Sequence, residues 1–316
     1  MPSRLNPDAI VECVPNFSEG TDKDKVAEIV AAMQVDEVRL LDWSLDTAHN
    51  RSVVTIAGPP AAVVESAVRG AGRAAKLIDL TRQSGVHPRI GAADVVPFVP
   101  VSGLTLAECA VLARQAGLEI WRRFGVPVYF YEAAAARPDR INLEDVRRGQ
   151  FEGLRETAHR DAARRPDIGG PEIHPTAGAS AVGARRFLIA YNIYLAGPEE
   201  GQPADITVAR AIARAIRASA GGLHGVKAIG VTVNGRAQVS MNITDFRRTP
   251  MRQVHAAVQQ LALNHGAAAA EGELIGLIPA EAYDADAVWV REVPNFDPEA
   301  KVLERKLHHP LPWPSA

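Results

Sequence analysis

Cysteine is nearly missing from this chain: Cys13 and Cys109 are the only two in 316 residues. Two thiols can build neither a disulfide framework nor a thiolate metal site, so a reducing cytoplasm is the expected setting. An excess of charge of one sign is missing too. The 35 basic and 37 acidic residues leave a net charge of −2, and the Lys and Arg residues are scattered rather than massed. That excludes the electrostatic footprint of a nucleic-acid binder. No apolar run approaches the length of a membrane span, and Met1–Asp8 lacks the apolar centre of a secretion signal. The expectation is a cytoplasmic protein with neither nucleic acid nor membrane as partner. What is present, 47% apolar against 23% charged residues, has the balance of a globular protein. A length of 316 residues exceeds one small core and suits two compact units.

Strands and helices alternate along the chain. Ile10–Val14 reads as a strand, and Asp22 can cap a helix over Lys23–Gln34 whose Val26, Ile29, Val30 and Met33 share a face. Val38–Trp43 and Arg51–Gly58 read as strands. Pro60 opens an Ala-rich helix to Ile78, and after a polar loop come a strand (Asp94–Val99), a helix (Thr105–Phe124) and a strand (Val126–Tyr131). From Ala134 to Gly170 the chain is rich in Arg, Asp and Glu and broken by prolines. It is expected to be a connector with short helices and no strand, and a boundary is set near Gly183. Beyond it a strand (Phe187–Leu195), a helix (Pro203–Ala218), two strands (Val226–Val233 and Gln238–Thr244) joined at Asn234-Gly235, a helix (Pro250–His265) and a strand (Leu274–Ile278) repeat the order. The fold class expected is α+β, with two tandem ferredoxin-like βαββαβ units. They span 1–183, including a connector at 134–183, and 184–307. The Pro-rich tail 308–316 is expected to be an extended surface segment.

Generic motifs fail in context. Gly70-Ala-Gly-Arg-Ala-Ala75 loosely matches a dinucleotide fingerprint but lies inside a helix. There is no P-loop and no His-Glu-x-x-His, and among nine histidines only His308 and His309 are close in sequence, so no metal is expected. The informative stretch is Ser84-Gly-Val-His-Pro-Arg-Ile-Gly-Ala-Ala-Asp94. Pro88 biases His87 away from helix, Gly85 and Gly91 permit tight turns or close approach of a ligand, and Arg89 adds charge. Read from the residues alone, His87 is either a surface-loop histidine or a chemical group. Cys13-Val-Pro-Asn-Phe-Ser-Glu-Gly20 and the polar stretch Asp42–Arg51, with Ser44, Asp46, Thr47, His49 and Asn50, have the same style. Either can be a simple turn, yet polar residues at three strand ends are what a binding cleft needs.

Taken together, Val11-Glu-Cys-Val-Pro-Asn-Phe-Ser-Glu-Gly20, Asn50-Arg51, His87-Pro-Arg-Ile-Gly-Ala92, Pro97-Phe-Val-Pro100 and Gly183-Ala-Arg-Arg-Phe-Leu-Ile-Ala190 resemble the glutamate formiminotransferase family, the transferase part of formiminotransferase–cyclodeaminase. Val239-Ser-Met-Asn-Ile-Thr-Asp-Phe246 and Leu274-Ile-Gly-Leu-Ile-Pro279 extend the resemblance, which runs from Val11 to Leu307. It implies two stacked ferredoxin-like subdomains, a homodimer, tetrahydrofolate as co-substrate with no metal, and a setting in histidine degradation. It also implies a stand-alone transferase, because the chain ends before a cyclodeaminase segment. The family's catalytic histidine falls on His87. Its folate-binding segment falls on Gly169, Gly170, Pro171, Glu172, Ile173, His174, Pro175, Thr176, Ala177 and Gly178. Ala177 stands where the vertebrate pattern has an aromatic, His174 where it has an aliphatic, and Ser44 where it has a carboxylate.

The implied reaction needs a proton taken from the attacking N5 of tetrahydrofolate and one given to the departing glutamate nitrogen, and an imidazole suits both near neutral pH. Asp42 or Asp46, and after them Asp94, are candidates to orient His87. Arg51 and Arg89, with Arg185 and Arg186 nearer the junction, are candidates for the substrate carboxylates. Asn16 and Asn50 are candidates for hydrogen bonds to the pterin or amidine. The same residues would serve a glutamate formyltransferase acting with 5-formyltetrahydrofolate. A non-catalytic small-ligand binder is the alternative of another class.

Overall fold

A computed structural model describes the chain apart from residues 1–5, 7, 86, 200–201, 287–292, 295 and 316. Most of Met1–Asp8, the stretch read for a secretion signal, therefore lies outside the described residues. The chain is mixed α/β, with two sheets and helices, and divides into two compact units. One holds the chain through Arg185 together with Pro310–Ala316, and the other is Arg186–His309. No described helix is long and apolar enough to cross a membrane.

The first unit opens with β1 (Ile10–Cys13) and β2 (Asn16–Phe17), two pieces of one path interrupted at Val14-Pro15. Pro15 has no N–H to give a ladder, but its carbonyl still accepts from Val54 (3.0 Å). Then come α1 (Lys23–Ala32), β3 (Arg39–Asp46), β4 (Arg51–Gly58), α2 (Pro60–Leu77) and β5 (Ala93–Ser102). Asp22 caps α1 by accepting from the Lys25 N–H (2.9 Å), and Pro60 starts α2 where no N–H is needed. β3, β4, the β1/β2 path and β5 lie side by side and antiparallel. α3 (Leu106–Phe124) follows, started by a Thr105–Glu108 capping box and ended by Gly125 at φ 65°. It leads to β6 (Val128–Glu132).

Beyond Gly170 the chain adds a strand for which the sequence reading had no place. After α4 (Leu143–Val146) and α5 (Gln150–Thr157) it returns as a strand, β7 (Ser180–Ala184), which slots between β5 and β6 and runs parallel to both. A boundary at Gly183 would cut this strand. Its sequence, Ser-Ala-Val-Gly-Ala, has a single β-branched residue and no aromatic to announce a strand, and at Gly183 the sheet has no room for a side chain: a Cβ there would meet the Tyr131 ring at 2.5 Å. β5 thus has a neighbour on each side, and Ala93–Val99 is buried without a break, the pattern of a strand covered on both faces. The tail also differs from the surface segment expected. Leu311 N–H donates to the Leu40 carbonyl (2.7 Å), and Leu311 and Trp313 pack against the core of the first unit.

The second unit runs β8 (Ile189–Ala196), α6 (Ile206–Ile216), β9 (Val226–Val233), β10 (Arg236–Ile243), α7 (Met251–Asn264) and β11 (Ala268–Ile275), in sheet order β11-β8-β10-β9. Ile189, Tyr191, Ile193 and Leu195 alternate inward along β8 against Ile212 and Ile216 of α6 and Val254 and Val258 of α7. Asn234 (φ 50°) and Gly235 (φ 76°) make the tight hairpin their sequence calls for. β11 begins six residues before the strand expected at Leu274, in an alanine run with no apolar alternation. Among the described residues, three short helices close the unit: α8 (Ala280–Ala285), α9 (Pro298–Lys301) and α10 (Leu303–His308).

Candidate active site

The polar strand-end stretches converge within the first unit. A small cleft is lined by Ser18, His49, Asn50, Arg51, Gln83, Ser84, Gly85, His87 and Arg89. The turn between β3 and β4 supplies His49 and Asn50, the start of β4 supplies Arg51, and the loop between α2 and β5 supplies Gln83, Ser84, Gly85, His87 and Arg89. The two approach closely because Gly85 has no side chain: a Cβ there would meet the His49 carbonyl at 2.8 Å. Asn50, at φ 49°, ties them together. Its Oδ1 accepts from Gly20 N–H (2.9 Å) and its Nδ2 donates to the Ser84 carbonyl (2.9 Å).

Beneath the cleft lies a charge cluster. Asp94, at the start of β5, is fully buried, and its Oδ2 accepts from Arg51 Nη1 (2.8 Å) and from Arg147 Nη2. Its Oδ1 accepts from the Ile90 N–H (2.8 Å). Burial alone would raise the Asp94 pKa, but Arg147 and Arg51 outweigh it and hold the group at about 2. Two guanidinium groups on one carboxylate leave one positive charge uncompensated in a poorly solvated place. Burial, then Arg147, pulls the Arg51 pKa to about 10, still well above neutrality. Asn16 fixes Arg51 in turn: its Oδ1 accepts from Arg51 Nε (2.9 Å) while its Nδ2 donates to the Val14 carbonyl (2.7 Å).

His87 is half-buried, and its Nδ1 lies 3.1 Å from Arg51 Nη1 and 2.8 Å from the Pro88 carbonyl. Burial first, then the positive charges of Arg51 and Arg147, lower its pKa to about 3, so the ring is neutral at pH 7. The His49 ring stands edge-on to it at 6.1 Å between centroids.

The carboxylates expected to orient His87 do other things. Asp46 binds His49 (Oδ2 to Nδ1 2.5 Å), which is the first cause of its lowered pKa. Asp42 lies opposite Thr55 in the β3–β4 ladder, and among the described residues no hydrogen bond joins it to His87. Asp94 is the carboxylate connected to the ring, and it reaches it through Arg51 rather than directly. Arg89 lines the cleft, but its fork is engaged elsewhere. Nη2 donates to the Gln83 carbonyl (2.8 Å) and to Glu152 Oε1 (3.0 Å), and Nη1 leans on Glu152 Oε2 (3.4 Å). Asn16 and Asn50 likewise hold protein groups.

The stretch Gly169–Gly178 packs beside the His87 loop. Its end zips onto that loop through Leu80 N–H to the Thr176 carbonyl, Ala92 N–H to the Ala177 carbonyl (both 2.9 Å) and a bridge between Gly91 and Gly178. A Cβ on Gly91 would meet the Ala179 carbonyl at 2.1 Å, so this glycine admits a neighbouring backbone. His174 caps its own turn, with Nδ1 accepting from Ala177 N–H (3.0 Å) and Thr176 N–H (3.3 Å). Ile173 and Ala177 are buried, while Pro171 and Glu172 are exposed.

Sequence reasoning missed Arg147 and Glu152. Both lie in the connector, 53 and 63 residues from the partners they bind, and nothing in their local sequence separates them from the other charges there. The connector is nonetheless pinned to the site three times: by Arg147 on Asp94, by Glu152 on Arg89, and by Phe151 N–H on the Arg89 carbonyl (2.8 Å). Among the described residues no group of three or more His, Cys, Asp or Glu is placed to hold a metal ion.

A family described as the formiminotransferase domain, N-terminal subdomain, matches residues 10–185, and one described as the formiminotransferase domain matches residues 189–307. The chain is 42% identical to a glutamate formimidoyltransferase of Streptococcus pyogenes serotype M1, over 94% of this chain and 98% of that one. It is 41% identical to a glutamate formimidoyltransferase of Thermoplasma acidophilum, over 95% and 97%. A formimidoyltransferase-cyclodeaminase of Gallus gallus is 38% identical, over 91% of this chain and 53% of that protein.

Proposed function

This chain belongs to the formiminotransferase family and is a transferase, and we propose that it moves the formimino group of N-formimino-L-glutamate to tetrahydrofolate, giving 5-formiminotetrahydrofolate and glutamate. The observation that carries this reading to the site is the Arg51–Asp94–Arg147 cluster beside His87. A dicarboxylate substrate meets a chain of net charge −2, so attraction has to be local, and the cluster presents an uncompensated positive charge at the cleft.

N5 of tetrahydrofolate attacks the amidine carbon, forming the new N–C bond. Collapse of the tetrahedral adduct breaks the bond to the glutamate nitrogen. The proton lost by N5 passes to His87, which returns it to the departing amine. Arg51 receives a substrate carboxylate. Asn16 and Asp94 hold Arg51 in place, and Asn50 fixes the loop that carries His87. Gly169–Gly178 takes the folate, a role supported by its backbone pairing with Gly91, four residues beyond His87. Each unit is a ferredoxin-like βαββαβ module, supported by the strand orders β3-β4-β1/β2-β5 and β11-β8-β10-β9.

The purified protein, incubated with tetrahydrofolate and either N-formimino- or N-formyl-glutamate, should release glutamate from the formimino donor. Release from the formyl donor alone would make it a formyltransferase, and folate binding without release of glutamate would make it a binder.

A further inference from the structure

His87 Nδ1 has two partners that one ring nitrogen cannot serve together. Arg51 Nη1, at 3.1 Å, can only donate, so it needs a lone pair on Nδ1, and the ring proton then sits on Nε2. The Pro88 carbonyl, at 2.8 Å, can only accept, so it needs the proton on Nδ1, which leaves the lone pair on Nε2. The first arrangement makes Nε2 a hydrogen-bond donor, and the second makes it a base.

The charged groups around the ring decide between them. Arg51 from β4, Asp94 from β5 and Arg147 from the connector form the cluster of net charge +1, and the His49–Asp46 pair flanks the ring from the β3–β4 turn. With no substrate anion present, the guanidinium has an uncompensated charge and a neutral imidazole nitrogen within reach. A carboxylate is a much stronger acceptor for guanidinium than that nitrogen is.

Resting on the formimino-transfer reading, we propose that His87 is a substrate-gated base: a substrate carboxylate takes over the Arg51 guanidinium, the ring proton moves from Nε2 to Nδ1 and is held by the Pro88 carbonyl, and the Nε2 lone pair is released for the reaction. The move is a tautomeric exchange through solvent, one proton leaving Nε2 and one arriving at Nδ1, with no net change of charge on the ring. The carboxylate that binds Arg51 also neutralises the charge that suppresses the ring's basicity, so binding and activation are the same event. The ligand-free ring is therefore a poor base, which suits a site that must not accept protons before its donor substrate is seated.

The test is the ¹⁵N spectrum of the His87 ring in the whole chain, first ligand-free, then with saturating L-glutamate, then with sodium chloride at matched ionic strength. Ligand-free and chloride samples should show the Nε2–H tautomer, and glutamate should convert it to Nδ1–H. The titration midpoint should rise from about 3 by more than one pH unit toward the ordinary value of about 6.5. In Arg51→Gln the ligand-free ring should already be Nδ1–H and glutamate should leave it unchanged. An identical tautomer with and without glutamate in the wild-type chain, or failure of glutamate to bind at all, overturns the proposal whether or not the variant folds. Turnover of N-formimino-glutamate is measured on the same sample. Turnover with an unswitched ring sinks the gating alone, whereas no turnover sinks the formimino-transfer reading.

Discussion

The two units differ in what they bury. The second has a core of alternating aliphatic residues, and its buried charged groups among the described residues are Asp286 and Lys306. The first buries Glu12, Glu19, Arg89, Asp94 and Arg140; of these Arg89 lines the cleft, while Glu19 and Asp94 hold Gln83 and Arg51, which line it. Burying charge is expensive unless it is paired, and here the pairing is extensive. Glu19 accepts from Thr21, Asp22, Lys25 and Gln83, and Asp94 accepts from two arginines and a backbone N–H. A scaffold gains little from such an arrangement over apolar packing, whereas a site that must bind anions and move a proton depends on it. The contrast supports placing the proposed chemistry in the first unit.

His87→Ala should give the largest effect and tests the contrast directly. Turnover is expected to fall by about 10²–10⁴, with the melting temperature nearly unchanged because the ring is half-buried, Arg51 keeps Asp94 and Asn16, and Pro88 is exposed to water. Steady-state kinetics beside a thermal melt decides it, and a collapse of the melt would make His87 part of the scaffold.

Asp94→Asn should come next, and it acts on stability as well as rate. Removing the charge leaves Arg51 and Arg147 facing each other in a buried place, a change expected to cost about 3–5 kcal/mol in a urea titration. The counterpart in the second unit, Glu281→Gln, breaks an exposed pair with Arg247 and should cost less than ~1 kcal/mol. Equal losses at the two positions would erase the distinction between the units. The Asp94 pKa is depressed in the folded state, to about 2, from an unfolded value of about 3.9. Its contribution to stability is therefore full above pH ~4 and is lost as the pH falls toward 2. Wild type should lose stability across that window more steeply than Asp94→Asn does.

Arg89→Lys should have the smallest effect of the three on catalysis. The sequence places this residue next to His87 and invites a substrate role, but its fork grips Glu152 and the Gln83 carbonyl. The expected outcome is a loss of about 1.5–3 kcal/mol in stability, the range for hydrogen bonds to charged groups, with KM for N-formimino-glutamate close to wild type. A raised KM with an unchanged melt would return Arg89 to the substrates.

Local chemistry made much of this legible. Asp22, Pro60 and Asn234-Gly235 announce two helix starts and a hairpin through their own side-chain and backbone preferences, and all of them act there. The His87 loop stood out because its Gly-bounded, Pro-flanked pattern fits neither helix nor strand. β7 and the first half of β11 did not stand out, because small residues that fit a crowded sheet look the same in sequence as a loop. The tail read as extended because three prolines forbid helix, yet nothing local marks Leu311 as the partner of Leu40.

By itself, then, the sequence determined the α/β alternation, the family and the candidate histidine, since each follows from residues close together along the chain. Only the tertiary structure decided what His87 touches. A guanidinium rather than a carboxylate stands at Nδ1, Asp46 is drawn to His49, Arg89 turns to Glu152, and Arg147 arrives on Asp94 from 53 residues away. The physical reason is that a buried charge takes whichever opposite charge the packing brings within hydrogen-bond reach, and that choice is made by strands and loops meeting in space rather than by spacing along the chain.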